Sequence, residues 1–67
     1  MSTLRIIPSP KLDVYEDSKG EWRWNIKVNS EIIGASTEGY INRKDCLDNI
    51  LTVEKRIKYF REKDLIK

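Results

Sequence analysis

Between Leu12 and Ala35 apolar and polar side chains alternate, and beyond Asn42 the apolar spacing widens to three and four. Alternation sends neighbouring side chains to opposite faces of a strand, whereas the wider spacing gathers them on one side of a helix. In "EWRWNIKV", Trp22, Trp24, Ile26 and Val28 share one face, with Arg23, Asn25 and Lys27 on the other. "KLDVYED" alternates in the same way, and "SKG" between the two runs fits a three-residue hairpin loop with Gly20 left-handed. That loop sets Val14 opposite Trp24, Leu12 opposite Ile26 and Glu16 near Trp22. A four-residue loop would instead set Asp13 against Trp24 on the apolar face, and is rejected.

Asn29–Ser30 closes a second hairpin into "EIIGAST", which predicts Ile26 against Ile33, Trp24 against Ala35, and Gly34 opposite Asn25 on the polar face. A helix follows. Asn42 suits the N-cap, Asp45 the third helical position, and Ile41 and Cys46 stand at hydrophobic-staple spacing. Cys46, Leu47, Ile50, Leu51 and Val53 form its apolar stripe. The tryptophans therefore read as core, sharing a sheet face with Leu12, Val14, Ile26, Ile33 and Ala35 under this helix. Upstream, the two prolines of "MSTLRIIPSP" mark residues 1–10 as an irregular lead-in, with Ile6 and Ile7 available for packing.

Composition bounds what this pattern can build. A chain of 67 residues is one domain, residues 11–67, and a core of this size supplies only about 3–5 kcal/mol unaided. Cys46 is the single cysteine and there is no histidine. This rules out an internal disulfide and a closed four-ligand zinc site, so no cofactor is expected. Elimination leaves oligomerisation as the remaining source of stability. The formal charge is only +2, but it is unevenly spread. Residues 1–40 carry five Lys/Arg against six Asp/Glu, and residues 41–67 eight against five. No apolar run reaches membrane-spanning length and no secretory signal opens the chain, so a cytoplasmic protein without membrane contact is expected.

The tyrosine-acid lead into a Gly turn, "WRW", "EIIGAS", "EGY", and Cys46, Ile50 and Val53 on the helix resemble the YegP-like domain. This is a small bacterial and archaeal domain of uncharacterised function, and the likeness runs from about Leu12 to Val53. Two positions depart from the family: "NS" stands where Asn-Gly is usual, and Asn25 where arginine is common. The resemblance implies an α+β unit, a three-stranded antiparallel meander with one helix on one face and a short C-terminal strand. It further implies that such units pair, so that a single unit forms a homodimer with exchanged C-terminal strands. Here the two lines of reasoning part. Continuing the stripe through Ile57 and Phe60 draws one helix from Arg43 to about Arg61 with nothing to break it. "IKYFR" is nevertheless β-branched and aromatic, and the dimer argument favours the exchanged strand.

Candidate chemistry is sparse. Without histidine, a nucleophile context or a phosphate-binding glycine loop, no catalytic residue is expected. Cys46, in the first helical turn, reads as a small buried hydrophobe rather than a reactive thiol. The polar sheet face carries Asp13, Tyr15, Arg23, Asn25, Lys27, Ile32 and Ser36, with Tyr15 set across from Arg23 for a cation–π contact. Tyr15, Arg23, Asn25 and Ile32 are its candidate protein contacts, against the plainer reading of a solvated face. The basic C-terminal segment offers Lys55, Arg56, Lys58 and Arg61 as candidate nucleic-acid contacts, interleaved with Tyr59 and Phe60. Glu62 and Asp64 dilute that patch. The expectation is a non-catalytic homodimeric interaction or regulatory module whose further partner would be an unidentified protein; weak sequence-independent nucleic-acid binding is the alternative.

Overall fold

The computed structural model describes residues 9–67. The first eight residues of the expected lead-in, Ile6 and Ile7 among them, lie outside the described residues. Three strands, β1 (Lys11–Glu16), β2 (Trp22–Val28) and β3 (Glu31–Ala35), precede one helix, α1 (Arg43–Glu62). The strands form an antiparallel sheet in the order β1-β2-β3. α1 packs chiefly on β2, the central strand.

The first hairpin has the expected register, with Leu12 opposite Ile26, Val14 opposite Trp24 and Tyr15 opposite Arg23. Its loop closes as the turn chemistry requires. Gly20 takes φ 79° and its N–H donates to the Asp17 carbonyl at 3.0 Å. Asp17 N–H and the Glu21 carbonyl complete the turn at 2.8 Å.

The second hairpin departs from expectation. Val28 faces Glu31 and Lys27 faces Ile32 as a two-residue turn demands, and of the two turn residues Asn29 alone has positive φ, 59°. The register then shifts, so that Ile26 faces Gly34 and Asn25 faces Ala35. Ile33 is the extra residue of a β-bulge and is 61% exposed, not inward against Ile26. The shift brings Ser36 to Trp24, where it donates its N–H to the Trp24 carbonyl at 2.9 Å and accepts the Trp24 N–H on Oγ at 3.2 Å. Gly34 thereby passes to the helix side, its position 3.7 Å from Ile26 Cδ1 for an added Cβ. Ala35 moves to the outer face. A bulge next to a strand glycine is a common pairing, because glycine concedes no side-chain contact there.

Trp22 and Tyr40 exchange backbone hydrogen bonds of 2.7 and 2.8 Å, which ties the chain entering the helix to the central strand. Asn42 is the N-cap residue, yet its side chain caps no backbone N–H. Its amide nitrogen donates to the Asp45 carboxylate at 3.4 Å instead. The staple is also absent, since Ile41 is 76% exposed while Cys46 is fully buried.

The C-terminal segment is helix, not strand. α1 runs unbroken through Ile57–Arg61 to Glu62, so the strand expected there is corrected. The reason is local. Cys46, Ile50, Val53, Ile57 and Phe60 keep helical spacing, and no residue before Lys63 interrupts the backbone bonding. The end is a Schellman-type cap: Asp64 takes φ 55°, Leu65 N–H donates to the Phe60 carbonyl at 2.8 Å and Asp64 N–H to that of Arg61 at 3.2 Å.

Candidate interaction surfaces

On the outer sheet face, Asp17 organises the loop beside the candidate residues. Its carboxylate accepts the backbone N–H groups of Lys19 and Glu21, each at 2.9 Å, and the Arg23 Nε–H at 2.8 Å. The Glu21 hydrogen bond, then the Arg23 guanidinium, hold the Asp17 carboxyl below its ordinary range. The same pair raises Arg23 above its own. Arg23 is therefore spent on the turn. Its expected cation–π contact with Tyr15 is not found among the described residues; the one observed places Arg43 5.9 Å from the Trp22 ring.

Tyr15 and Asn25 do come together. With Asp13, Val14 and Lys27 they line an open recess of about 350 Å³. Asn25 is 9% exposed, and its Oδ1 is buried without a hydrogen-bond donor. Ile32 lies off this recess and is 56% exposed. Of the four protein-contact candidates, two share a site, one is bound to the turn and one stands alone.

The basic residues of α1 divide similarly. Lys55 and Arg56 line a shallow recess of about 410 Å³ with Thr52 and Tyr59. Lys58 and Arg61 are not part of it. Tyr59 and Phe60 meet edge to face at 5.8 Å between centroids, and both are more than two-fifths exposed.

A third surface was not anticipated from the sequence. Between sheet and helix lies a cleft of about 320 Å³ walled by Leu12, Trp24, Ile26, Ile50, Val53 and Ile57. Glu54 supplies its one charged side chain. At its floor the Trp24 Nε1–H donates to Asn49 Oδ1 at 2.7 Å. The helical spacing of Asn49 beside Cys46, Ile50 and Val53 was the available signal for that bond. Burial raises the Cys46 thiol pKa, with Arg43 pulling weakly the other way, so the buried-hydrophobe reading of Cys46 agrees with its environment. Among the described residues no group of three or more His, Cys, Asp or Glu gathers as metal ligands. No described helix is long and apolar enough to cross a membrane.

The UPF0339 proteins NMB1088 of Neisseria meningitidis serogroup B (strain ATCC BAA-335 / MC58) and NMA1193/NMA1859 of Neisseria meningitidis serogroup A / serotype 4A (strain DSM 15465 / Z2491) are similar to this chain. Each is 41% identical over 34 residues, which is 51% of this chain and 61% of the relative. The chain thus spans about three-fifths of the length of the curated relatives it matches. No solved structure matches it. The profile of a domain of unknown function, DUF1508, matches residues 17–58, which takes in the first turn, both later strands and most of α1. With more than half its length inside that profile, the chain belongs to the DUF1508 family, the YegP-like domains.

Proposed function

We propose that the protein is a small, non-catalytic interaction module that acts as a homodimer. The observation that carries this reading is exposed apolar surface: Ile32 and Ile33 on β3 and Leu47 and Leu51 on α1 are all open to solvent. A second copy covering these side chains supplies the burial that so short a chain lacks. The lone Cys46 thiol is compatible with a reducing cytoplasm, where we place the module.

Sedimentation equilibrium across a concentration series tests the reading. A mass moving from one chain to two is expected, with a melting temperature that rises with concentration. Leu51→Glu should hold the protein at one chain. A single-chain mass and a constant melting temperature at every concentration would remove the proposal.

A second reading, weak sequence-independent nucleic-acid binding, is supported by the recess that sets Lys55 and Arg56 beside Tyr59. Such binding should weaken steeply with salt, because neutralising phosphates releases counterions. Absence of binding to single- and double-stranded probes at low salt eliminates it.

A further inference from the structure

The cleft between sheet and helix is apolar inside and charged at one point of its rim. At its floor lies the buried Trp24 ring, whose indole N–H is already taken by Asn49. Ile26, Ile50 and Val53 are half-buried above it, and Leu12 and Ile57, 45% and 50% exposed, form the lips. Of the described side chains that line the cleft, only Glu54 offers a free hydrogen-bonding group. An occupant with polar groups along its body would lose their hydration there without a partner. A volume of about 320 Å³ falls just inside the range of small-molecule sites.

Glu54 is exposed and makes no ion pair among the described residues; the helical pair found there joins Lys44 to Asp48. Lys55 and Arg56, which follow it in sequence, line a different recess with Thr52 and Tyr59. The cleft therefore meets a negative charge that no wall residue offsets. A carboxylate so placed favours a positive group at the rim and opposes a negative one.

We propose that the cleft binds a small cationic amphiphile, a primary amine carried on an apolar body. The body lies against Trp24 between Ile26 and Val53, and the ammonium stays at the rim on the Glu54 carboxylate. An ammonium keeps part of its hydration there, so the desolvation cost of a buried ion pair is largely avoided. Burial of the body supplies the affinity, and Glu54 selects the head group. Ile32, Ile33, Leu47 and Leu51, the side chains assigned to the dimer, are not on this wall. The site thus stands independently of that reading.

Titrating the full chain with octylamine, octanol and octanoate below their micellar concentrations tests the site, with tryptophan emission and amide NMR as readouts. Octylamine should give saturable shifts along the wall, at Leu12, Ile26 and Ile50–Ile57. It should bind roughly fivefold more tightly than octanol, the gain from one exposed ion pair, and octanoate should bind more weakly than either. The chain's overall charge of +2 favours the anion, so a preference for the amine reports on the cleft itself. Butylamine should bind more weakly than octylamine by roughly tenfold or more. Glu54→Gln should reduce octylamine to the affinity of octanol, while Glu62→Gln, the same change of net charge at the helix end, keeps the preference. Equal binding of the three head groups overturns the proposal, as does a wall that shows no saturable shifts. Loss of the preference in Glu62→Gln would reduce it to an effect of net charge and sink the idea. Octylamine affinity that falls as protein concentration rises makes a second copy the occupant, with the same consequence. Mass, read by sedimentation on the same samples, judges the dimer separately, so either reading can fail alone.

Discussion

Trp24 joins the layers through both parts of its side chain. The ring is 6% exposed and its N–H reaches Asn49 at 2.7 Å. Truncation to alanine should cost about 3–5 kcal/mol, enough to unfold a domain of this size. Asn49→Ala should cost about 1–3 kcal/mol by leaving the buried indole N–H without an acceptor. Urea titration followed by tryptophan emission measures both, and an unaffected midpoint in Asn49→Ala would show that this bond carries no stability. Asp17 makes a pH prediction. Its folded pKa is depressed, so its contribution is complete above the unfolded value near 3.8 and disappears as pH falls through the lower folded value. Asp17→Asn should therefore lower stability at neutral pH and flatten the acid limb of a melting-temperature profile. Asn25 should behave in the opposite sense. Its Oδ1 is buried and unpaired, so an apolar replacement such as Asn25→Val should be neutral or stabilising by about 1 kcal/mol. A loss beyond that in chemical denaturation would indicate that the amide has a partner in solution.

At the scale of elements, the close approach at Gly39 holds sheet and helix in place. A Cβ there would collide with the Glu21 carboxylate and lie 2.7 Å from Glu21 Cβ, beside the Trp22–Tyr40 bridge. Gly39→Ala should cost about 1–3 kcal/mol in chemical denaturation, because Glu21 Cβ, bonded directly to the backbone, cannot swing away as the carboxylate can. A variant of wild-type stability would mean that the bridge yields freely. The elements differ in how far residue patterns reveal them. The first hairpin was readable to its last pair, because Gly20 and the alternation of both flanking strands act locally and agree. In β3 the same reasoning placed Ile33 inward, and the bulge placed Gly34 there. The alternation of a five-residue strand is too short to resist a shift that gives Trp24 two hydrogen bonds to Ser36. For α1 the periodicity of Ile57 and Phe60 was the better guide, and the strand inferred from pairing of subunits was not.

For the molecule as a whole, only Trp24 and Cys46 are buried apolar side chains among the described residues. Covering the exposed apolar residues of β3 and α1 is the requirement behind the dimer proposal. The melting temperature should thus respond to protein concentration. If that dependence is not found, these side chains stay open to solvent in the native state.

Strand alternation, turn residues and helical spacing act over a few neighbours. Those features therefore yielded the α+β class, the first register, the burial of Trp24 and that of Cys46, while Trp22, read as core with it, is only half-buried. The candidate surfaces were less legible because each depends on what lies across a layer. Arg23 was available on paper, yet Asp17, held by two backbone N–H groups, reaches it first. Lys58 and Arg61 follow Lys55 and Arg56 in sequence, but the turn of the helix separates them from that recess. The cleft is walled by Leu12, Trp24 and Ile26 of the sheet and by Ile50, Val53 and Ile57 of α1. Its shape belongs to neither element alone and arises only where the two are packed together.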